Sequence, residues 1–236
     1  MAASVRTKPA AKMSSEDRRA AIVKAVRRVF AEKGFDGTTT RELAEAARVS
    51  EALLFKHFPN KEALYSAMLK SCCNEQDHGM FERLMALEPS ASTLVLMVHF
   101  LFSRILGDSA SANNERVLTN RLMIRSLAED GEFARVLLRG LEECWIPKIE
   151  DSIEAAIAAG DAVGGRKDSK LLGWFSHHLA AMIGFNLRPK TPVVAYGVAH
   201  EKLVEQAVWF ALRGMGLKDQ AIRRHYNPKG LALFTN

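Results

Sequence analysis

Between Thr39 and Pro59 the chain carries two helix-start signals eleven residues apart, and no other feature constrains its fold so tightly. Thr39-Thr40-Arg41-Glu42 sets a capping hydroxyl three residues ahead of a glutamate that can reach back to it, and Leu43, Ala44, Ala46 and Ala47 follow. After Arg48-Val49, Ser50 opens a second segment with Leu53, Leu54 and Phe58. Pro59 ends it, because proline has no N–H to continue the ladder. Two helices of about two turns, joined by three or four residues, make a helix-turn-helix in outline.

The flanking sequence is also helical. Ser14 to Asp17 forms a capping signal, and Ile22, Ala25, Val26, Val29 and Phe30 recur at helical spacing up to Lys33, with Gly34 placed for a left-handed cap. Asn60 caps a helix expected to run from Lys61 through Leu64 and Met68 to about Leu84. Further helices are expected over 92–106, 113–129, 132–159, 169–187 and 196–215, separated by turn compositions, with Pro147 kinking the longest. No strand-type alternation is sustained anywhere. The expected fold is therefore all-α, about nine helices in total: an N-terminal three-helix domain with the helix-turn-helix, followed by an antiparallel helical bundle.

Charge separates the two parts. Residues 1–70 hold 14 Lys and Arg against 8 Asp and Glu, and residues 71–236 hold 19 against 19, so the whole excess of +6 lies at the N-terminal end. A basic module on a neutral body suits a polyanionic partner, although Arg6, Lys8 and Lys12 alone supply half the excess. The longest uncharged stretch, 171–187, is shorter than the roughly 20 apolar residues that span a bilayer. No secretory signal follows the basic start, so a cytoplasmic protein is expected. Cys72, Cys73 and Cys144 fit reduced thiols, with a redox role for the adjacent pair as the alternative.

The run from Gly34 to Ala44 (GFDGTTTRELA), then Val49-Ser50, Leu54-Phe55-Lys56-His57-Phe58 and Asn60-Lys61-Glu62, resembles the N-terminal DNA-binding domain of the TetR family of bacterial transcriptional repressors. Trp209 to Gly214 is similar to that family's last helix. The resemblance implies a dimer that binds a palindromic operator in double-stranded DNA and leaves it when a small effector binds the C-terminal body. It divides the chain into a basic, disordered arm (1–13), a DNA-binding domain (14–60) and an effector-binding and dimerisation domain (61–236). Ser50, Glu51, Ala52, Phe55 and Lys56 are the side chains that a recognition helix would bring to base edges. Glu51 can accept from a cytosine amine, or it is only a first-turn acid favoured by the helix dipole. Arg41 matches a position near the groove, and Thr40, His57 and Lys61 match phosphate contacts, which set register. Two residues depart from the pattern: Phe55 stands where the family has tyrosine, and Arg48 stands where it has glycine.

In the body, 171–187 and the last large helix are apolar over more than one face. The expectation is a homodimer through these two helices, with Val208 and Ala211 facing outward. Phe81, Met97, Phe100, Met123, Trp145, Phe175 and Met182 could line a cavity for an apolar or aromatic effector, or could simply be core. His99, His177 and His178 could suggest a metal, but the adjacent His177 and His178 point to different sides of a helix, so no metal is expected, and no cofactor. No nucleophile elbow, phosphate loop or zinc spacing supports an enzyme. A non-specific architectural DNA binder is the remaining alternative.

Overall fold

A computed structural model of the chain describes residues 13–74, 78–107, 114–129, 131–165 and 168–232. Every regular element of useful length among them is helical, with a single isolated bridge between Ala162 and Leu217. The contacts divide into two compact units, 1–74 with 118–134, and 75–117 with 135–236.

In the first unit α1 (Ser15–Lys33) starts where the Ser14 hydroxyl accepts from the Asp17 amide, and it buries Ile22, Val23, Val26 and Phe30. It stops at Gly34, whose φ of 73° few residues other than glycine adopt cheaply and whose N–H bonds the Phe30 carbonyl at 2.8 Å. α2 (Thr40–Ala46) has the full reciprocal cap of Thr39 and Glu42. α3 (Glu51–His57) is capped by Ser50 and ends at Phe58. α4 (Lys61–Asn74) opens with the Asn60 side chain accepting from the Ala63 amide at 2.8 Å. The expected continuation of this helix to Leu84 crosses 75–77, which lie outside the described residues, as does the arm 1–12. Beyond it α5 (His78–Ala86) belongs to the second unit.

α6 (Ala91–Leu106) is the centre of the second unit: Leu94, Val95, Met97, Val98 and Phe102 are fully buried. A helix apolar on all sides needs neighbours on all sides, and this one has them in the later helices of the chain. α7 (Asn114–Ala128) packs for most of its length in the first unit, where Arg125 Nη1 donates to the Glu32 carbonyl at 2.9 Å near the end of α1. A division of the chain by motif at residue 60 and a division by packing therefore cut it differently.

The long helix expected over 132–159 is resolved into α8 (Glu132–Gly140), a π-helical turn (Leu141–Trp145) and α9 (Ile146–Ala158). Pro147 explains the turn. It cannot donate to the Glu143 carbonyl and its ring crowds that group, so the helix widens and the Ile146 N–H bonds Leu141 instead. α10 (Ser169–Leu187) and α11 (His200–Gly214) follow. Two short helices were not foreseen, α12 (Asp219–His225) and α13 (Pro228–Ala232). The segment leading to them is tied to the end of α9: Lys218 N bonds the Asp161 carbonyl at 2.9 Å, and Arg224 Nη1 reaches the Asp161 carboxylate at 3.1 Å.

Candidate nucleic-acid interface

The three-helix arrangement at the N-terminal end is held from its buried side. Leu43, Leu54 and Phe58 are buried with Phe30, which leaves Arg41, Ser50, Glu51, Ala52, Phe55 and Lys56 exposed and Thr40, His57 and Lys61 half-buried. The recognition-type helix α3 is fixed at both ends. The Ser50 hydroxyl accepts from Leu53 N at 3.2 Å. At the other end Arg19 of α1 donates to the His57 carbonyl and lies over the Phe58 ring, 4.1 Å from its centroid. A cation at a helix C-terminus is favoured by the helix dipole.

Arg48, in the turn between α2 and α3, has φ 54°, the left-handed conformation expected at a position where the family has glycine; it is the one non-glycine residue with positive φ among those described. Thr40 Oγ1 donates to Glu51 Oε2 at 2.9 Å and so joins the first residue of α2 to the first residue of α3. Arg41 projects into solvent with its side chain 80% exposed, held loosely by Glu45 at 3.0 Å. Glu42 caps α2 and pairs with Lys33. These partners hold its carboxyl at about 2, well below the usual range, the Lys33 hydrogen bond being the largest cause.

Lys61 has a role that sequence reasoning missed. Its ammonium donates to the Thr38 carbonyl at 2.8 Å and sits 4.3 Å from the centre of the Phe35 ring. The same loop is closed by Thr38 Oγ1 donating to the Gly34 carbonyl at 2.6 Å. Lys61 thus braces the approach to α2, which a solvated lysine at a helix start gives no sequence signal for.

Of the six residues considered for an effector that lie in the second unit, Phe81, Phe100 and Trp145 come together, and Phe175 and Met182 stay exposed. Trp145, carried inward by the π-helical turn, stacks on Phe81 with ring centres 5.9 Å apart and lies 6.0 Å from Phe100. Met97 is buried in the same core. Met123 is buried in the first unit. Phe175 and Met182 are each 61% exposed on the outer side of α10. A cavity of about 180 Å³ lies elsewhere in the second unit, lined by Ile105, Leu106, Gly107, Gly184, Leu187, Arg188 and His200.

The outward face of the last large helix also differs from expectation. Val208 and Ala211 are buried, at 0% and 6% exposure, and Phe210 is the outward residue at 68%. The two apolar faces of α11 look alike in sequence, and only the packing of α6 against one of them decides which is inside. On α10, His177 is buried, which pushes its imidazole down to about 4, while His178 is exposed and stacks on Trp174 at 5.7 Å. His99, weighed with His177 and His178 for a metal, is buried on α6 between Ser103, 3.3 Å away, and Tyr226, 3.5 Å away. No helix among the described residues is long and apolar enough to cross a membrane.

Residues 22–68 match the sequence profile of the bacterial regulatory proteins, tetR family. Over 48 residues the chain is 46% identical to the uncharacterized HTH-type transcriptional regulator YvkB of Bacillus subtilis, a match covering 20% of this chain and 25% of that protein. Over 46 residues it is 37% identical to IcaR, the HTH-type negative transcriptional regulator of the biofilm operon icaADBC in Staphylococcus epidermidis, with 20% and 25% covered. The match thus spans about a quarter of the length of these relatives. Similarity of fold extends much further. The structure of AibR in complex with isovaleryl coenzyme A and operator DNA superposes with a TM-score of 0.59 at 18% identity, over 82% of this chain and 97% of that one. A TetR-family regulator from Cytophaga hutchinsonii gives 0.60 at 17% identity, over 88% and 100%.

Proposed function

We infer, from a membership of the tetR family of bacterial regulatory proteins carried by residues 22–68, that this chain is a ligand-responsive transcriptional repressor that binds operator DNA as a dimer. The observation that carries the reading is the geometry of α2 and α3: two short helices capped at their starts, buried on one side by Leu43, Leu54 and Phe58, with Arg41, Glu51, Phe55 and Lys56 all exposed. A helix of two turns presented in this way enters a major groove with its first-turn side chains at base edges. Arg41 and Lys56 donate to guanine, Ala52 meets a thymine methyl, and His57 and Lys61 set register on phosphates. For Lys61 this uses N–H groups beyond the one given to Thr38.

The division of labour is residues 14–60 for DNA and 61–236 for effector and dimer, with 1–13 a basic arm. The protein is not an enzyme and acts in the cytoplasm. Leu171, Phe175 and Met182 on α10 and Phe210 on α11 leave apolar surface exposed, and a second copy of the chain covers it. The effector is a largely apolar molecule received near Phe81, Phe100 and Trp145, whose rings already form an aromatic cluster. AibR, bound to isovaleryl coenzyme A and operator DNA, is a precedent for the fold engaging both. The signal has a covalent route in α8, whose first residues, 132–134, belong to the first unit and whose remainder belongs to the second. An effector that prefers the DNA-incompetent geometry a hundredfold weakens operator binding by the same factor, about 2.8 kcal/mol.

Selection of the full chain against randomised duplex DNA tests the reading. Enrichment of a two-fold symmetric sequence, with half-sites about one helical turn or somewhat more apart, is the expected result. Enrichment of no sequence contradicts it.

A further inference from the structure

Glu51 is an acid on a surface that the DNA-binding reading places against a polyanion, and the inference drawn here rests on that reading. An acid in the first turn of a helix is often explained by capping or by the helix dipole. Capping does not account for this one. The start of α3 is capped by Ser50, whose hydroxyl takes the Leu53 amide at 3.2 Å, and the glutamate that does serve as a cap in this domain is Glu42, at the start of α2. No lysine or arginine among the described residues pairs with Glu51. Its one polar partner among the described residues is the Thr40 hydroxyl, which donates to Oε2 at 2.9 Å across the α2–α3 junction. The residue is exposed, and the bond from Thr40 engages Oε2 of its carboxylate.

A carboxylate so placed can only accept. Phosphate oxygens and guanine N7 and O6 are acceptors as well, so each repels it. Adenine offers one donor, N6–H, but sets the N7 acceptor beside it. Cytosine offers the N4–H donor with C5–H, and no acceptor of its own, on its outer side, so only the O6 of its paired guanine lies next to it. We infer that Glu51, oriented by Thr40, is the specificity-determining residue that selects a cytosine at one step of each operator half-site. Thr40 has a single hydroxyl proton, and it is committed to Glu51. The hydroxyl therefore does not donate to a phosphate while Glu51 reads a base, and Thr40 acts as a positioning residue for Glu51 instead of a phosphate clamp.

The test takes the operator enriched from randomised duplex DNA by the wild-type full chain and measures, by fluorescence anisotropy, the affinity for duplexes carrying each of the four bases at every half-site position. The wild type should prefer cytosine at one step by about tenfold. Glu51→Gln should lose that preference and shift toward adenine, whose N6 and N7 a carboxamide can bridge, with the other positions unchanged. Thr40→Val should keep cytosine as the preferred base but reduce the discrimination severalfold at that step alone. A purely structural strut between α2 and α3 predicts lower thermal stability in both variants with the base preference intact, and that result overturns the inference. Glu51→Gln keeping the wild-type preference at every position overturns it while leaving the DNA-binding reading in place. A wild-type chain that enriches no sequence overturns both.

Discussion

At the scale of single residues, conformation and partnership divide the work. Arg48 occupies a left-handed backbone position, φ 54°, that L-residues with a Cβ enter at a cost of about 1 kcal/mol relative to glycine. The side chain is exposed. Arg48→Gly should therefore stabilise the domain by roughly 0.5–1 kcal/mol, the gain being trimmed by the greater freedom of glycine in the unfolded chain. Thermal denaturation of the two proteins checks this, and an Arg48→Gly protein that melts at the same temperature or lower goes against it. This backbone state could be anticipated from the sequence because the constraint is local and tied to a motif. The brace made by Lys61 could not be anticipated, since its partners Thr38 and Phe35 lie more than twenty residues earlier and only the folded loop brings them to the ammonium.

At the scale of elements, the helix starts were legible and the helix faces were not. Ser14, Thr39, Ser50 and Asn60 each hold an amide of their own first turn. A cap is an interaction over three residues, which sequence displays directly. The cap of α2 also sets a pH dependence. Glu42 has its folded carboxyl lowered to about 2 from an ordinary 4.5, so its contribution is fully present above about 4.5 and is lost as pH falls from there toward 2. Wild type should be more stable than Glu42→Gln at neutral pH, and the difference should shrink steadily below 4.5 in denaturant titrations. A difference that stays constant from neutral pH down to 2.5 would exclude this role for the carboxylate. The inner and outer faces of α11 were a different problem. Val208, Ala211 and Phe210 are all apolar, and the side that turns inward is decided by contact with α6, about a hundred residues away in sequence. The interruption at Leu141–Trp145 was legible as a kink at Pro147 but not as a π-helical turn, because proline dictates that a bond is lost and the surroundings dictate how the chain absorbs the loss. α12 is held by the distant residue Asp161 and α13 packs on α6, so no local signal was strong enough to reveal these short helices.

At the scale of the whole molecule, the account requires two copies of the chain. Phe175 and Met182 on α10 and Phe210 on α11 are large apolar side chains in solvent. Covering an aromatic ring of this kind is worth about 1.5–3 kcal/mol, so a face bearing several favours a partner. Phe175→Glu combined with Phe210→Glu should give a folded monomer that loses operator affinity, because one half-site then binds without the other. Sedimentation velocity reads the first outcome and anisotropy the second. A wild-type chain that sediments as a stable monomer at micromolar concentration is incompatible with this arrangement.

The central claim is that the basic N-terminal helices bind a specific duplex through its phosphates and read it through α3. Its most direct measurement is the affinity of the full chain for the selected operator and for a scrambled duplex across a salt series. With about three phosphates neutralised per subunit by cations of the N-terminal part, log affinity for the operator should fall against log salt with a slope of about −5. The operator should also bind at least a thousandfold more tightly than the scrambled duplex at physiological salt, about 4 kcal/mol. A slope near zero, or equal affinity for the two duplexes at every salt concentration, would contradict the account.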